Sequence, residues 1–145
     1  MQVSKLLTLT VRFLLGAVFL VFGANKLLHF IPMPPFPPAA APFIGGLAAA
    51  GYMFPMIGVV EVVAGVLLIA GRFVPLALTV LAPIIVNIAL FHVLLVPGFG
   101  MVVFLLASEL YLAWVYRDAF RGLLQPITPL PATPIERRDA DVVPI

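Results

Sequence analysis

The sequence predicts an all-α integral membrane protein, a four-helix transmembrane bundle with a Pro-rich outer loop and a short interfacial helix. The first observation is composition: of 145 residues, 63% are hydrophobic and 10% are charged, and the mean hydropathy is +1.22. Soluble domains carry about 25% charged residues, so this chain lacks the side chains needed to cover a surface facing water. The second observation is that the apolar residues fall into four runs whose lengths equal or approach the length of a transmembrane helix.

The first predicted span covers residues 6–28, and its uncharged part is short. Residues 13–24 extend about 18 Å as a helix, which does not cross a hydrocarbon core of about 30 Å. The span is long enough only if Arg12 and Lys26 extend towards opposite interfaces, or if either cation is paired inside the bundle. A secretory signal peptide is the alternative interpretation, and the absence of a small-x-small cleavage site after the run disfavours it.

Two glycines in this span predict how it packs, and the prolines that follow it predict the shape of the next loop. Gly16 and Gly23 lie two helical turns apart and predict a surface that another helix approaches closely. The loop at residues 29–52 holds six of the chain's 15 prolines, so its first half is expected to be extended. Residues 42–50 are predicted to form a short helix at the membrane surface. A loop of this length acts either as a lid or as a cap packed over the bundle end.

The remaining spans are predicted at residues 54–71, 75–96 and 99–117. The turn between the second and third spans is so short that they form an antiparallel hairpin. Aromatic residues close the last span, as expected at a membrane interface. They are Tyr111, Trp114 and Tyr116. We therefore divide the chain into a four-helix membrane domain, residues 1–124, and a Pro-rich, charged cytoplasmic tail, residues 125–145, which is predicted to be disordered.

The distribution of Lys and Arg predicts the orientation. With four spans, both termini and the turn at residues 71–74 lie on one side of the membrane. That side carries seven of the eight basic residues, and the other side carries Lys26 alone. The seven are Lys5, Arg12, Arg72, Arg117, Arg121, Arg137 and Arg138. By the positive-inside rule, we expect a multi-pass protein whose N- and C-termini are cytoplasmic.

One carboxylate, Glu61, lies in the middle of the apolar run that forms the second span. An ionisable group near the bilayer centre costs about 2.5–3.5 kcal/mol on insertion scales, and such residues are functional-site candidates. Counting from the turn, Glu61 and Asn87 lie at the same depth, about 20 Å from it. The next hairpin brings Glu109 to the level of Asn87. We therefore expect these three side chains to meet at one polar level inside the bundle.

Two cations of the first span bracket this level, Arg12 on the cytoplasmic side and Lys26 on the outer side. Two ion pairs are conceivable, Lys26 with Glu61 and Arg12 with Glu109. Two carboxyl groups close together, one of them protonated, suit proton exchange with a quinol or a transported solute. The alternative is that these polar groups only hold the helices together, through hydrogen bonds worth about 0.6–2 kcal/mol each.

Residue content argues against several other kinds of site. The chain has no cysteine, which excludes disulfides, iron–sulfur clusters and c-type haem attachment. A di-iron bundle needs Glu-x-x-His on two helices, and neither Glu61 nor Glu109 has that histidine, so no metal is expected. His29 and His92 are candidates for an outer entrance that binds a quinone head group, and their different depths disfavour a haem pair. No basic surface with interleaved aromatic residues is present, so no nucleic-acid partner is expected.

Four stretches of the sequence resemble a known family. They are RFLLGAVFLVFGANKLLHF, GYMFPMIGVVEVVAGVLLIAGRFVPLAL, APIIVNIALFHVLL and ELYLAWVYRDAFRGLL. Together they are similar to the DoxX family of small four-helix bacterial membrane proteins, over residues 8–124. The resemblance implies a protein of the bacterial cytoplasmic (inner) membrane. Some relatives are subunits of thiosulfate:quinone oxidoreductases, and others are proposed to join membrane-associated redox complexes. The disulfide chemistry of cysteine-bearing relatives is not transferable to this chain, and the family supplies no agreed catalytic residues.

From the resemblance and the polar level we expect an accessory or quinone-interacting subunit of a membrane redox system. We expect no cofactor that is an intrinsic part of the chain, and quinone is the cofactor that it would bind. The chain is not expected to be catalytic on its own. The expected partners are the lipid bilayer, redox-enzyme subunits, or a second copy of the chain in a homo-oligomer. Two alternatives stay open. One is a membrane scaffold or assembly protein. The other is a small-solute or proton carrier, which the lack of a second inverted repeat weakens.

Overall fold

The computed structural model describes residues 2–32, 35–96 and 98–122, and the regular structure within these ranges is entirely helical. Six helices follow one another in this part of the chain. They are α1 (Gln2–Leu28), α2 (Ala41–Ala49), α3 (Met53–Ala70), α4 (Val74–Leu94), α5 (Gly100–Val115) and α6 (Arg117–Phe120). The tail predicted over residues 125–145 lies outside the described residues.

Three of these helices, α1, α3 and α4, are long and apolar enough to cross a membrane. The apolar helix α5 has 16 residues, which corresponds to about 24 Å. The outer surface of the bundle is apolar as well, because side chains such as Phe13, Val63 and Leu90 are more than half exposed. Such a surface is typical of helices that face lipid. The prediction of an all-α membrane bundle is confirmed.

Helix α1 packs mainly against α3, and the two helices run antiparallel. Gly16 and Gly23 on α1 meet Gly65 and Gly58 on α3, so the two pairs have the same spacing. A Cβ atom at Gly65 would lie 2.7 Å from the carbonyl oxygen of Gly16, and one at Gly58 would lie 2.9 Å from the carbonyl oxygen of Gly23. The two backbones are in direct contact, which confirms the close approach predicted at Gly16 and Gly23.

Helix α3 ends at Gly71, which adopts the left-handed conformation with φ 69°. The N–H of Gly71 donates to the Leu68 carbonyl and the N–H of Arg72 donates to the Leu67 carbonyl, both at 3.1 Å. This Schellman arrangement satisfies two of the last carbonyl groups of the helix. Helix α4 begins after three residues, so α3 and α4 form the short antiparallel hairpin that the sequence predicts.

The core of the bundle consists of large apolar side chains from all four long helices. They are Leu15, Phe19, Leu68, Leu78, Leu81, Ile85, Leu105 and Leu112. Helix α5 packs against α4 and α1. A hydrogen bond of 2.9 Å between the Thr8 and Tyr111 hydroxyl groups joins α1 to α5 near the N-terminus of α1.

The loop after α1 folds over one end of the bundle. The side-chain oxygen of Asn25, near the end of α1, accepts the N–H of Ile31 at 2.6 Å, and its amide nitrogen donates to the Ile31 carbonyl at 3.3 Å. The rings of Phe36 and Phe43 meet the ring of Phe91 on α4, with centroids 6.1 and 5.6 Å apart. The loop and α2 therefore pack as a cap. We call this the capped end of the bundle, and the opposite end, with the α3–α4 turn, the hairpin end.

Candidate functional site

Glu61 and Lys26 form an ion pair between α3 and α1. The Lys26 ammonium nitrogen lies 2.6 Å from Oε2 of Glu61. The Glu61 side chain is 2% exposed, whereas the Lys26 side chain is 27% exposed. The structure thus contains the first of the two ion pairs that the sequence suggests.

The two side chains reach each other because α1 and α3 are antiparallel. Lys26 lies in the last turn of α1 at the capped end, and Glu61 lies beside Gly23, deeper in the bundle. Side chains on an α-helix lean towards the N-terminus of that helix. Lys26 therefore leans from the capped end into the bundle, and Glu61 leans towards the capped end.

Two glycines of the α1–α3 interface make room for this pair. A Cβ atom at Gly23 would lie 2.8 Å from the Cβ of Glu61, and one at Gly58 would lie 3.1 Å from the Cβ of Lys26. Both distances are shorter than an ordinary van der Waals contact, which begins at 3.4 Å. The stems of Lys26 and Glu61 can therefore lie between the helices only because both positions lack a side chain.

The pair combines a shielded acceptor with an accessible donor. An ammonium group has three N–H bonds, and Lys26 directs one of them at Glu61. The Lys26 side chain is 27% exposed, so part of it faces the outside of the bundle, whereas the Glu61 side chain is covered. A ligand that accepts a hydrogen bond would therefore meet Lys26 first and Glu61 behind it.

The two histidines lie at the capped end, and no hydrogen bond or ion pair joins either of them to the Lys26–Glu61 pair within the described ranges. Nδ1 of His92 lies 2.8 Å from the Ile88 carbonyl oxygen. A carbonyl oxygen only accepts, so Nδ1 carries the proton and Nε2 is the acceptor of the neutral ring. His92 also meets the Phe91 ring edge to face at 5.5 Å. His29 is exposed and follows α1 with a left-handed φ of 53°.

Asn87 does not join Glu61 inside the bundle, which corrects the expected polar level. Its side chain is exposed on α4. A residue count along a hairpin gives the depth of a residue but not the side of the helix on which it lies. Ile85 is 1% exposed in the core, and Asn87 follows it by two residues, or about 200° around an α-helix. Asn87 therefore lies on the face opposite the core.

Glu109 is buried, but it lies at a different depth from Glu61, which is a second correction to the polar level. Glu61 is beside Gly23 of α1, whereas Tyr111, two residues after Glu109, is bonded to Thr8 of α1. Fifteen residues separate Gly23 from Thr8, which is about 22 Å along the helix. Glu61 and Glu109 therefore lie at different depths, with Glu61 nearer the capped end.

Arg12 and Glu109 do not form the second ion pair that the sequence suggests. The Arg12 guanidinium lies against Gly71 at the end of α3, where a Cβ atom would be 2.7 Å from its Nη1. This position is favourable for a cation because the C-terminus of a helix carries a partial negative charge. Nε of Arg12 and Oε2 of Glu109 are both buried, and neither has a hydrogen-bond partner among the residues that the structure describes.

Comparison with known proteins adds the family. The DoxX family model matches residues 7–94, which is more than half of the 145-residue chain. The chain belongs to the DoxX family. The DoxX match begins in α1 and ends at the last residue of α4, so it includes Lys26, Glu61 and Asn87 but not Glu109. A search of curated proteins and a search of solved structures each returned no match.

Two polar contacts of this DoxX bundle are missed by reasoning from sequence. One is the buried Asn25, whose side chain bonds the backbone of Ile31. A signal for it exists, because a polar residue in the last turn of a helix before a Pro-rich loop can satisfy loop backbone groups. The other is the bond between Thr8 and Tyr111, for which the sequence carries no signal, because it depends on how α1 and α5 pack.

Proposed function

We propose that this chain is an accessory, quinone-interacting subunit of a membrane redox system in the bacterial cytoplasmic membrane. The observation that carries the proposal is the ion pair between the buried Glu61 side chain and the partly exposed Lys26 side chain. Ionisable residues inside a membrane bundle are costly and by default suggest a functional site. We infer that this pair is the contact point for a quinone head group.

The donors and acceptors of the pair match those of a quinone. A quinone carbonyl oxygen accepts a hydrogen bond, which the accessible N–H groups of Lys26 can supply. A quinol hydroxyl oxygen can accept from the same ammonium, which the covered Glu61 carboxylate holds in place at 2.6 Å. When bound, the quinone would supply the electron-carrying chemistry, while Lys26 and Glu61 hold and orient its head group.

The capped end also offers aromatic surface. The rings of Phe36 and Phe43 contact Phe91, and His92 packs against the edge of that cluster. Planar rings pack well against such aromatic side chains. We propose that this cluster and the Nε2 acceptor of His92 belong to the entrance through which a head group reaches Lys26.

The redox step itself is assigned to a partner protein. The chain has no cysteine and so has no ligands for an iron–sulfur cluster. Among the described residues, no group of three or more His, Asp or Glu side chains could hold a metal ion. The residues that are described can bind and orient an organic head group, which is the contribution of an accessory subunit.

The position of Asn87 supports the role of a subunit. Its amide lies on the exposed face of α4, where the neighbouring side chains Val86 and Leu90 are 52% and 53% exposed. Lipid tails offer an amide no hydrogen-bond partner, whereas polar contacts between transmembrane helices are worth about 0.6–2 kcal/mol. We propose that α4 packs at Asn87 against a helix of a redox partner or of a second copy of this chain.

The test is to purify the protein from its native membrane in mild detergent and to identify every bound lipid, quinone and protein by mass spectrometry. We expect quinone with the wild-type protein and its loss in Glu61→Gln. Glu109→Gln is the matched control, because it makes the same change at a buried glutamate that lies at a different depth in the bundle. Unchanged quinone in Glu61→Gln would refute the site, and equal loss in both variants would mean that the two substitutions act on the fold rather than on the ligand.

A scaffold or assembly role is the second candidate, and the α1–α3 interface favours it. The ion pair joins two helices whose glycines already bring their backbones into contact, so it is suited to locking them together. On this proposal Glu61→Gln lowers the melting temperature, and no quinone accompanies the wild-type protein. The same purification therefore separates the two proposals.

We also propose that both termini are cytoplasmic. The hairpin end carries the exposed cations Lys5, Arg72 and Arg117, whereas Lys26 lies at the capped end, which agrees with the positive-inside rule. The natural chain has no cysteine, so single cysteines can be placed without background. A membrane-impermeant maleimide should label Tyr52→Cys in intact cells and Arg72→Cys only after lysis. The reverse pattern would overturn this orientation.

A further inference from the structure

An open surface cavity lies at the hairpin end between the first turns of α1 and the last turn of α5. Its volume is about 600 Å³, and it opens at the surface of the bundle. Its wall includes Lys5, Thr8, Leu9, Tyr111, Trp114 and Arg117. It lies at the opposite end of the bundle from the Lys26–Glu61 pair, so it does not belong to the site proposed for quinone.

Helical spacing explains why these side chains face one another. Lys5, Thr8 and Leu9 are three and four residues apart and therefore share one face of α1. Tyr111 and Trp114 are three residues apart and share one face of α5 in the same way. The hydrogen bond between Thr8 and Tyr111 joins the two helices beside the cavity, and Lys5 and Trp114 each lie about one turn nearer the hairpin end.

The Thr8 and Tyr111 hydroxyl groups of the cavity are already engaged, whereas its two cations, Lys5 and Arg117, keep donors for a ligand. The Thr8 hydroxyl donates to the Ser4 carbonyl at 2.9 Å, which uses its single proton, and the Tyr111 hydroxyl therefore donates to Thr8. Nη1 of Arg117 donates to the Trp114 carbonyl at 3.2 Å, which uses one of the five N–H bonds of the guanidinium. Lys5 and Arg117 are both exposed, and neither forms an ion pair with another described residue, so both can bind an anion.

Trp114 contacts one of these cations, Arg117. The Arg117 guanidinium carbon lies 4.9 Å from the centroid of the Trp114 ring, a cation–π arrangement. The nearest acid in sequence, Asp118, lies 3.0 Å from Arg121, so it contacts that cation rather than Arg117. Lys5 and Arg117 therefore give the cavity a positive charge.

We propose that this cavity binds the head group of an anionic phospholipid, with Lys5 and Arg117 on the phosphate. The cavity lies at one end of a membrane bundle, where lipid phosphates are found. Leu9 is 50% exposed and Trp114 is 65% exposed, so both offer apolar surface to the acyl chains. Basic pockets between transmembrane helices are a known type of anionic-lipid site, and Trp is enriched at the level of the head groups.

The protein contains its own probe for this proposal, because Trp114 is its one tryptophan. The protein is placed in phosphatidylcholine nanodiscs that contain a small fraction of brominated phosphatidylglycerol or the same fraction of brominated phosphatidylcholine. Bromine quenches tryptophan fluorescence on contact, so the ratio of the two quenching constants reports the preference for the anionic lipid. We expect a preference in the wild-type protein that falls about fivefold in Lys5→Gln and in Arg117→Gln.

Two matched variants sharpen the test. Arg72→Gln removes an exposed cation from the same end of the bundle without touching the cavity, and it should keep the preference. Arg117→Lys keeps the positive charge and should retain most of the preference for the anionic lipid. An equal preference for the anionic lipid in the wild-type protein and in Lys5→Gln would overturn the proposal. A loss of preference in Arg72→Gln as large as that in Lys5→Gln would also overturn it, because the preference would then come from the surface charge of this end of the bundle alone. Loss of the preference when inorganic phosphate replaces chloride at equal ionic strength would indicate a soluble anion and would also overturn it.

Discussion

The contact between α1 and α3 makes Gly65 the position at which one added methyl group should do most damage. A Cβ atom there would lie 2.7 Å from the Gly16 carbonyl oxygen and 2.8 Å from the backbone nitrogen of Leu20. Ordinary contacts begin at 3.4 Å. Both neighbours are backbone atoms, so no flexible side chain can move aside. In Gly65→Ala the two helices must therefore separate by several tenths of an ångström.

Two opposing effects set the size of the change in stability. Alanine is the better helix former by about 1 kcal/mol, which favours the variant. Overpacking a tight interface costs about 1–3 kcal/mol, and the rigid backbone of Gly16 and Leu20 places Gly65→Ala near the upper limit. We expect a net loss of about 1–2 kcal/mol, which corresponds to a fall in melting temperature of about 2–8 °C for a chain of this size.

The assay is thermal unfolding in detergent, followed by the fluorescence of Trp114. Gly45→Ala is the matched control, because Gly45 is also within a helix and a Cβ there would have no neighbour within 4 Å. It gains helix propensity without overpacking and should melt at the wild-type temperature or slightly above. If Gly65→Ala melts like Gly45→Ala, the α1–α3 contact is looser than these distances indicate and the reasoning is refuted.

Three further predictions rest on the same structure. Asn87→Leu should weaken association with the partner helix, measured by crosslinking in the membrane, and should leave the melting temperature of the isolated chain unchanged. Gly71→Ala should lower the melting temperature, because φ of 69° strains alanine by about 1–2 kcal/mol and its Cβ would collide with Arg12; the loss should be smaller in an Arg12→Ala background. Glu61→Met should lower the melting temperature, whereas Glu109→Met should leave it unchanged or raise it.

The features that could be predicted from sequence depend on residue type and chain order alone. Gly16 and Gly23 indicate a close helix contact because only a residue without a side chain permits it. The hairpin at Gly71 follows from two apolar runs with almost nothing between them. Lys26 and Glu61 could be paired because a long cation in the last turn of one helix can reach a buried acid on its antiparallel neighbour.

The features that the sequence misplaced depend on rotation and translation of helices. Asn87 has the expected distance from the turn, but the core residue Ile85 two positions earlier places it on the outer face. The predicted depth of Glu109 depends on a tight turn before α5. The connection between α4 and α5 is five residues long, so it leaves the position of α5 along the bundle open, and the Thr8–Tyr111 bond sets it instead. Neither rotation nor translation is encoded in a residue count.

The two buried glutamates show why a polar residue inside a membrane bundle has no fixed effect on stability. Glu61 has the Lys26 ammonium at 2.6 Å, so Glu61→Met leaves that partly covered cation without its partner, which is destabilising. Oε2 of Glu109 is buried and has no partner among the described residues, and an unsatisfied buried group costs about 1–3 kcal/mol. Glu109→Met removes that cost with little change in side-chain length. If Glu109→Met instead melts as early as Glu61→Met, Oε2 must bind something beyond the residues described, and Glu109 rather than Glu61 becomes the acid to test for a ligand.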